Sequence, residues 1–572
     1  MSFYPHRKPA SLLLVDIIAH YVFFIKTLLI LTAVFIIISG LDDLFIDFIY
    51  WSRTLYRAVF VHRRYKPLDV EQLYVHKESS FAVMVPAWKE SSIIRQMIDN
   101  TLRSYDYQSY HLFIGAYQND PATQEAVRAA SMDYPNVHLI VVPRDGPTCK
   151  ADCLNWILQG VMRFEQDHAL QFSGVVMHDA EDVVHRLELK LFSYLIDRID
   201  LMQLPVFSLE RPWYEFTSGH YIDEFAESHS KDLVVREALT GVVPSAGVAT
   251  CFSRRGLAAL AAQNNNLVFN TDSLTEDYDI SFRLKALGMK QIFLRYGVMT
   301  TLRKVSPFTG RVRTVRERDY VATREYFPNS IRTATRQKSR WILGIVFQGW
   351  RFIGWRGNLA TRYMLFRDRK SVFTAFTTIV AYFILLHIVI LNQLPKFFPD
   401  HYIFPLIVQI GSLPWWLLLI NLGLLLNRIF HRMLFTGRIY GWEQALLSVP
   451  RMIVGNIIAF LASVRALRLF YFHIIQGTPL VWDKTDHAYP SSNQLQHMRQ
   501  RLGELLLERK LITEHVLSEA LKLQHSTKQP LGEILLQMNA LELPALSQAL
   551  ARHLGISAEE ALQRLNASKG TI

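Results

Sequence analysis

The sequence predicts an α/β domain with a parallel sheet, inserted between membrane-spanning helices and followed by a small, mainly α carboxyl-terminal domain. Three observations carry that reading. Short apolar runs at 81–85, 111–117, 137–142 and 174–177 alternate with stretches of helical spacing, the signature of a βαβ series. Half of the 572 residues are hydrophobic and the mean hydropathy is positive, which points to lipid-embedded segments. In the tail, a motif recurs at an offset of 29 residues, so this part folds as two repeated units around one core.

Taken in order, residues 17–40 carry one internal charge, Lys26, and reach the length of roughly 20 apolar residues that a crossing helix needs. The run is too long for a cleavable signal peptide and lacks a small-residue cleavage pattern. Residues 41–61 mix Asp43, Asp47, Arg53 and Arg57 with Phe, Ile, Trp and Tyr, which predicts an amphipathic interface helix closing a first segment, 1–65. The second segment, 66–335, holds the strand-like runs. Its first helix is read from Ile93, Ile94, Met97, Ile98 and Leu102, behind the cap-type residues Ser91 and Ser92. The turn after the first strand has no GxGxxG, which argues against a nicotinamide or flavin enzyme. The third segment, 336–490, contains two uncharged stretches long enough to cross, 372–391 and 403–426. The thirteen residues 452–464, bracketed by Arg451 and Arg465, are too few and read as an interfacial or re-entrant element. The last segment is 491–572.

Lys and Arg outnumber Asp and Glu by 62 to 50, a net +12. The excess clusters at Arg53, Arg57, Arg63, Arg64 and Lys66, at Arg362, Arg367, Arg369 and Lys370, and at Arg428, Arg432 and Arg438. Positive-inside topology explains these clusters without nucleic acid and puts 66–335 and the tail on the cytoplasmic side. Three cysteines imply no disulfide framework, and Cys149 and Cys153 lack the companions of a zinc site.

Four polar marks interrupt this pattern: Pro86-Ala87-Trp88-Lys89-Glu90, Asp179-Ala180-Glu181-Asp182, Thr275-Glu276-Asp277 and Gln337-Lys338-Ser339-Arg340-Trp341. The first two follow strand-like runs, at the carboxyl edge where parallel sheets bind ligands. Asp179, Glu181 and Asp182 repel one another there, and a hard divalent cation, magnesium or manganese, relieves that repulsion. Thr275 also reads as a plain helix cap, and Gln337, Arg340 and Trp341 share one face of a basic amphipathic helix. Asp120, Lys150, Asp152 and Asn155 read by themselves as caps and surface charges.

Together the marks resemble the PAxxE, DxD, TED and QxxRW motifs of the inverting, membrane-bound family 2 glycosyltransferases. The resemblance implies a Rossmann-like nucleotide-sugar transferase domain of the GT-A type. It implies a UDP-sugar donor lined by Pro86, Ala87, Glu90, Asp120, Lys150, Asp152 and Asp179. It further implies a magnesium or manganese ion on Asp179 and Glu181, although Glu181 stands where the family usually has Asp. Asp277, beside Glu276, takes the role of base; Gln337, Arg340 and Trp341 complete the catalytic set, with Arg340 toward the diphosphate and Trp341 toward the acceptor. Ser245-Ala246-Gly247-Val248-Ala249-Thr250 resembles the acceptor loop, with Ala249 where a second Gly is common. Gly477-Thr478-Pro479 and Trp482-Asp483-Lys484-Thr485-Asp486-His487 resemble a gating segment.

The whole chain resembles bacterial inner-membrane transferases known as phage-receptor components. That implies transfer of an N-acetylhexosamine into an exopolysaccharide, a growing polysaccharide or lipid-linked acceptor, and an outer-membrane export partner. A scaffold with an inactive transferase domain, and a transferase acting once on a lipid carrier, are the alternatives. In the tail, Arg501-Leu502-Gly503-Glu504 recurs as Pro530-Leu531-Gly532-Glu533, and Ser518-Glu519-Ala520-Leu521 as Ser547-Gln548-Ala549-Leu550. The unit resembles the MshEN domain, which implies cyclic di-GMP as an activator, bound by Arg501, Leu502, Gly503, Gln524, Leu531, Gly532 and His553. Lys510 and Asn539 replace turn glycines, a position Asn tolerates and Lys does poorly. The alternative is a helical docking module.

Overall fold

The computed structural model describes residues 10–264, 266–397, 407–477, 488–491, 494–495, 502–527, 529–554, 559 and 561–563. The catalytic-type domain is built on β1 (Phe81–Ala87), β2 (Tyr110–Tyr117), β3 (Val137–Val142), β4 (Gly174–Met177), β5 (Leu201–Gln203), β6 (Val206–Ser208), β7 (Thr250–Ser253) and β8 (Gln291–Phe293). Seven of these form one sheet in the order β3-β2-β1-β4-β7-β5-β8. β1 is buried along its whole length, as a strand covered on both faces must be. Its alternate residues go to opposite cores: Ala82 and Met84 join Phe113 and Phe252, whereas Phe81, Val83 and Val85 join Leu112 and Ile114.

The architecture is the expected Rossmann-like, GT-A α/β fold, with two local corrections. β7 runs antiparallel to β4 and β5, so the sheet is mixed. The first helix is Ile94–Ser104 with Ile93 at its N-cap and no side-chain cap bond, so Ser91 and Ser92 do not cap it. β6 pairs outside the main sheet with β11 (Thr323–Glu325), and β9 (Gly297–Val305) and β10 (Val312–Tyr320) form a separate hairpin.

Among the described residues, four helices are long and apolar enough to cross a membrane: Asp16–Val61, Leu359–Gln393, Leu413–Tyr440 and Trp442–Gln476. The interface segment expected at 41–61 is no separate helix but the continuation of the first one, Ala10–Tyr56. Its carboxylates turn inward, Asp42 to Arg367 and Lys370, and Asp47 to Lys231 at 2.7 Å. The start of the 403–426 stretch lies outside the described residues, and its helix begins at Leu413.

The segment 452–464 sits within a single helix of 35 residues, Trp442–Gln476, with Pro450 inside it. Length and composition let that helix cross, and it packs on both sides: Asn456 donates to Tyr382 at 2.7 Å and Phe460 meets Phe376 at 5.1 Å on the helix Leu359–Phe397, while other residues reach the catalytic domain and the helices that follow it. Gln444 donates to Glu210 at 2.7 Å near the start, Arg465 to Ser339 at 3.5 Å further on, and Phe470 stacks on Phe347 at 4.8 Å near the end. The helix Ile331–Ile342 runs through the 335/336 boundary.

The tail consists of the helices Leu502–Glu508, Glu514–Thr527, Leu531–Gln537 and Leu543–Leu554. Leu505, Leu506 and Ala520 share one core with their repeat partners Ile534, Leu535 and Ala549. A Cβ on Gly503 would lie 2.6 Å from Leu517 Cδ1, and one on Gly532 3.2 Å from Leu546 Cδ1. The repeat is therefore structural: each glycine lets one helix cross the next.

Candidate active site

The sheet brings the sequence marks to one edge. β1 pairs in parallel with β2 and β4, so the loops after Ala87, Tyr117 and Met177 open side by side. Antiparallel β7 begins at that edge, with Thr250 opposite Met177, which adds the 245–249 loop.

The loop after β1 is held in a bent form. Lys89 has φ 55°, a left-handed conformation costing a side-chain-bearing residue about 1–2 kcal/mol. Its amide donates to Asp120 Oδ2 at 2.6 Å, and the Glu90 amide donates to Thr123 Oγ1 at 3.0 Å. Asp120 Oδ1 also accepts from the Thr123 amide at 3.3 Å. Asp120 is thus a helix cap, as the plain reading had it, and also a brace for the loop holding Pro86, Ala87 and Glu90. Asp152 accepts from Thr148 Oγ1 at 2.9 Å and lies 3.6 Å from Arg144. Asn155 is tied to the backbone of Phe269 and serves packing.

Lys150 is the hub. Its Nζ lies 2.6 Å from Asp179 Oδ1 and donates to the Gly247 carbonyl at 3.2 Å. Burial pulls its pKa down, but Asp179, Glu276 and Asp277 outweigh that and hold it above the ordinary range. Burial and the neighbouring Asp277 push Glu276 up to about 8. Burial likewise raises Asp277, with Lys150 opposing and Asp179 adding. A Cβ on Gly247 would sit 2.6 Å from Asp277 Oδ2, and Gly247 has φ +76°. Only glycine allows the loop to approach the carboxylate this closely. Ala249 takes φ 49° despite its Cβ, a left-handed conformation that glycine adopts at no steric cost.

Behind Asp179, His178 sits fully buried between Asp182 at 2.6 Å and Glu188 at 2.7 Å. Burial pulls its pKa down, but the two carboxylates outweigh it and raise it to about 10. Asp182 Oδ2 is committed to this group and to the Asp179 amide at 3.1 Å; on the same loop Asp179 is half-buried and Glu181 is buried. Glu325, on β11, is pushed well above the carboxylate range by burial and by Asp182, Glu181 and Asp179. That crowding of negative charge fits a hard divalent cation. Among the described residues no three His, Cys, Asp or Glu side chains converge as a closed metal cage, so the pair fits only as part of a coordination sphere shared with ligand oxygens.

Thr275 occupies the N-cap position of the helix Glu276–Ala286, but its hydroxyl has no hydrogen-bond partner. The cap reading holds for its position and not for its side chain. Instead Asp277 accepts from the Tyr278 amide at 2.7 Å, and Thr275 packs against Gly344 just beyond the helix Ile331–Ile342. Gln348 joins the two elements, accepting from the Leu274 amide at 2.8 Å and donating to the Asp272 carbonyl at 3.0 Å. On the helix, Gln337 has a buried Oε1 without a partner. Arg340 is half-buried and its charge acts on Tyr221. Trp341 meets Tyr221 and Phe225 edge-on, each at 6.2 Å. Trp341 also lines a cavity of about 580 Å³ between the domain and the long apolar helices, with His220, Lys338, Thr378, Asn456 and Ser463.

The structure thus joins Lys150, Asp179, Asp277 and Gly247, with Glu276 acting on Lys150 through its charge. Glu90, Asp120 and Asp152 stand along the same edge, and the Gln337, Arg340 and Trp341 helix reaches the 275–277 loop through Thr275 and Gln348. Sequence reasoning missed Gln348, Glu325 and Gln203; Gln203 Oε1 accepts from the Ala246 amide and from Thr250 Oγ1. Of the tail positions, Leu502, Gly503, Gln524, Leu531, Gly532 and His553 lie in the tail helices or at their edges, apart from this site. Arg501 and 478–487 lie outside the described residues.

The family described as Glycosyl transferase family group 2 matches residues 174–395. The chain is 43% identical over 550 residues to the bacteriophage adsorption protein B of Escherichia coli K12, across 96% of this chain and 73% of that protein. The bacteriophage N4 adsorption protein B of Escherichia coli O157:H7 matches to the same extent. Among solved structures, a mannosyltransferase from Pyrobaculum calidifontis in complex with GDP-Man and Mn2+ is similar at 16% identity, covering 77% of this chain and 99% of that one, with a TM-score of 0.45.

Proposed function

This chain belongs to the bacteriophage adsorption protein B family and carries a glycosyltransferase family 2 domain, and we propose that it transfers an N-acetylhexosamine from a UDP donor, with inversion, into an exopolysaccharide at the bacterial inner membrane. The observation that carries this reading is the convergence of Asp277, Lys150 and Asp179 on the glycine-gated loop at the carboxyl edge of the sheet. Asp277 accepts the proton of the acceptor hydroxyl as it attacks the anomeric carbon, and its raised pKa suits a base. Arg340 faces the leaving diphosphate with charge-assisted hydrogen bonds. Magnesium or manganese held by Asp179 and Glu181 would supply charge neutralisation at that diphosphate.

The cavity beneath Trp341 holds the growing polysaccharide or lipid-linked acceptor. The basic ends of the long apolar helices bind carboxylates of the catalytic domain, as Arg432 does Glu227 at 2.8 Å, and of the first helix, as Arg367 does Asp43 at 3.2 Å. That supports a cytoplasmic catalytic domain and tail, with the product handed to an outer-membrane partner. Cyclic di-GMP bound at the tail, with Arg501 as its charged contact, activates the transferase.

The test is nucleoside-diphosphate release by the purified full-length protein across a panel of UDP- and GDP-sugars, with and without metal and cyclic di-GMP. UDP release with one N-acetylhexosamine donor, raised by cyclic di-GMP, is expected. Release from GDP donors alone would refute the UDP assignment, and an unchanged rate with cyclic di-GMP would refute the activation.

A further inference from the structure

The tail touches the catalytic domain through its helix Leu543–Leu554, which packs on the helix Ile94–Ser104, and through the turn that joins the two helices of its first unit. Arg509, largely covered, lies 2.6 Å from the buried Asp106, and its guanidinium stacks on Tyr74 at 4.7 Å. The next residue, Lys510, occupies the left-handed turn at φ 53° and pairs with Glu71 at 2.7 Å. The equivalent turn of the second unit has Met538 and Asn539, so neither charge recurs. A lysine at a strained position where asparagine fits better makes sense when its side chain docks. The exposed Lys510 pair adds little by itself; the Arg509 pair, shielded from solvent on the Asp106 side, is the anchor.

What lies behind Asp106 gives the contact its consequence. Its neighbour Tyr105 is buried, and its hydroxyl sits 3.3 Å from both His178 Nε2 and Glu188 Oε1. His178 in turn holds Asp182, which receives the Asp179 amide. The Asp106 amide donates to the Arg186 carbonyl at 3.2 Å, and the Arg186 guanidinium donates to the hydroxyl of Tyr74, under Arg509, at 3.0 Å. A second contact arrives independently: Tyr489 donates from its hydroxyl to the Asp182 carbonyl at 3.4 Å, and Leu495 packs with Val183 and Leu209. Two separate points of the chain beyond the last long helix therefore bear on the acidic loop 178–182.

We propose that the Arg509 turn is a docking pin through which the tail sets the position of this loop, so that release of the tail weakens donor and cation binding while leaving the chemical step intact. The proposal rests on the donor reading above. The test uses full-length protein with Arg509→Ala, Asp106→Ala, the double variant and Tyr489→Phe. Hydrogen exchange reports the dock, and the donor KM, the half-saturating metal concentration and kcat report the loop.

Each alanine variant should speed exchange at 70–76 and 103–110 and raise donor KM by about tenfold, a coupling of ordinary size, with kcat little changed. The double variant should equal either single one, because both break the same link. Tyr489→Phe, which deletes one hydroxyl and leaves the fold alone, should give a smaller rise in KM. Unchanged exchange in Arg509→Ala would overturn the dock; faster exchange with an unchanged KM, or additive single effects, would overturn the relay. A wild-type protein that turns over no donor defeats the transferase reading instead, and exchange still decides the dock.

Discussion

Replacing Gly247 with alanine tests the core of the site. The new Cβ would lie 2.6 Å from Asp277 Oδ2 and 3.2 Å from Lys150 Nζ. To regain an ordinary contact of 3.4 Å, the carboxylate retreats by about 0.8 Å, and misplacement on the scale of 1 Å costs about 100-fold in rate. The backbone adds its own cost, because φ +76° is about 1–2 kcal/mol less favourable for alanine than for glycine. Gly288→Ala separates the two effects, since Gly288 has φ +74° with nothing within 4 Å of its Cβ. Both variants should lose a similar few degrees of melting temperature, whereas only Gly247→Ala should lose kcat, by about 30- to 100-fold. Initial rates of nucleoside-diphosphate release and thermal unfolding in the same detergent measure both. If Gly247→Ala keeps more than about a third of the wild-type kcat, or if Gly288→Ala loses as much, the loop is not poised against a catalytic carboxylate.

Asp277→Asn should retain donor binding by calorimetry while kcat falls roughly 100- to 10,000-fold, the usual worth of a positioned base; wild-type turnover would remove Asp277 from that role. Asp179→Ala should abolish metal-dependent donor binding, and activity that survives EDTA in the wild type would make the acidic loop structural. Glu276 has a folded pKa of about 8, above its ordinary value, so the folded state holds its proton more tightly than the unfolded one. Its contribution is present at low pH and lost as pH rises toward about 8. In metal-free buffer the wild type should therefore lose melting temperature relative to Glu276→Gln between about pH 5 and 8, and parallel curves would refute the shift.

The parts of the fold that were legible are those in which local pattern and tertiary burial agree. β1 and β4 read as unbroken apolar runs because both faces of the sheet are covered. The direction of β7 leaves no such trace: Thr-Cys-Phe-Ser would read alike in either orientation, and its pairing with β4 is set by the chain path around it. The 41–61 segment misled for a related reason. Asp42 and Asp47 look like residues facing water, yet they bind Lys370 on the helix Leu359–Phe397 and Lys231 on the catalytic domain, and no local pattern announces partners 328 and 184 residues away. Likewise, thirteen apolar residues between two arginines suggested a short element, while packing against Ser339 and Phe347 carries the helix on for 35.

In the site, the legible residues are the ones that break local rules: carboxylates crowded at a strand end, a basic face ending in Trp341. Such violations persist where function requires them. The residues that aim them break no rule at all. Gln348 is an ordinary polar residue in a helical run, yet it fastens the 275–277 loop to the interface helix, and Gln203 ends a strand as many polar residues do. Lys510 falls between these classes. It breaks a turn rule, which made the first tail unit look degraded, and its pairing with Glu71 makes the same departure a reason for the turn to be held against the catalytic domain.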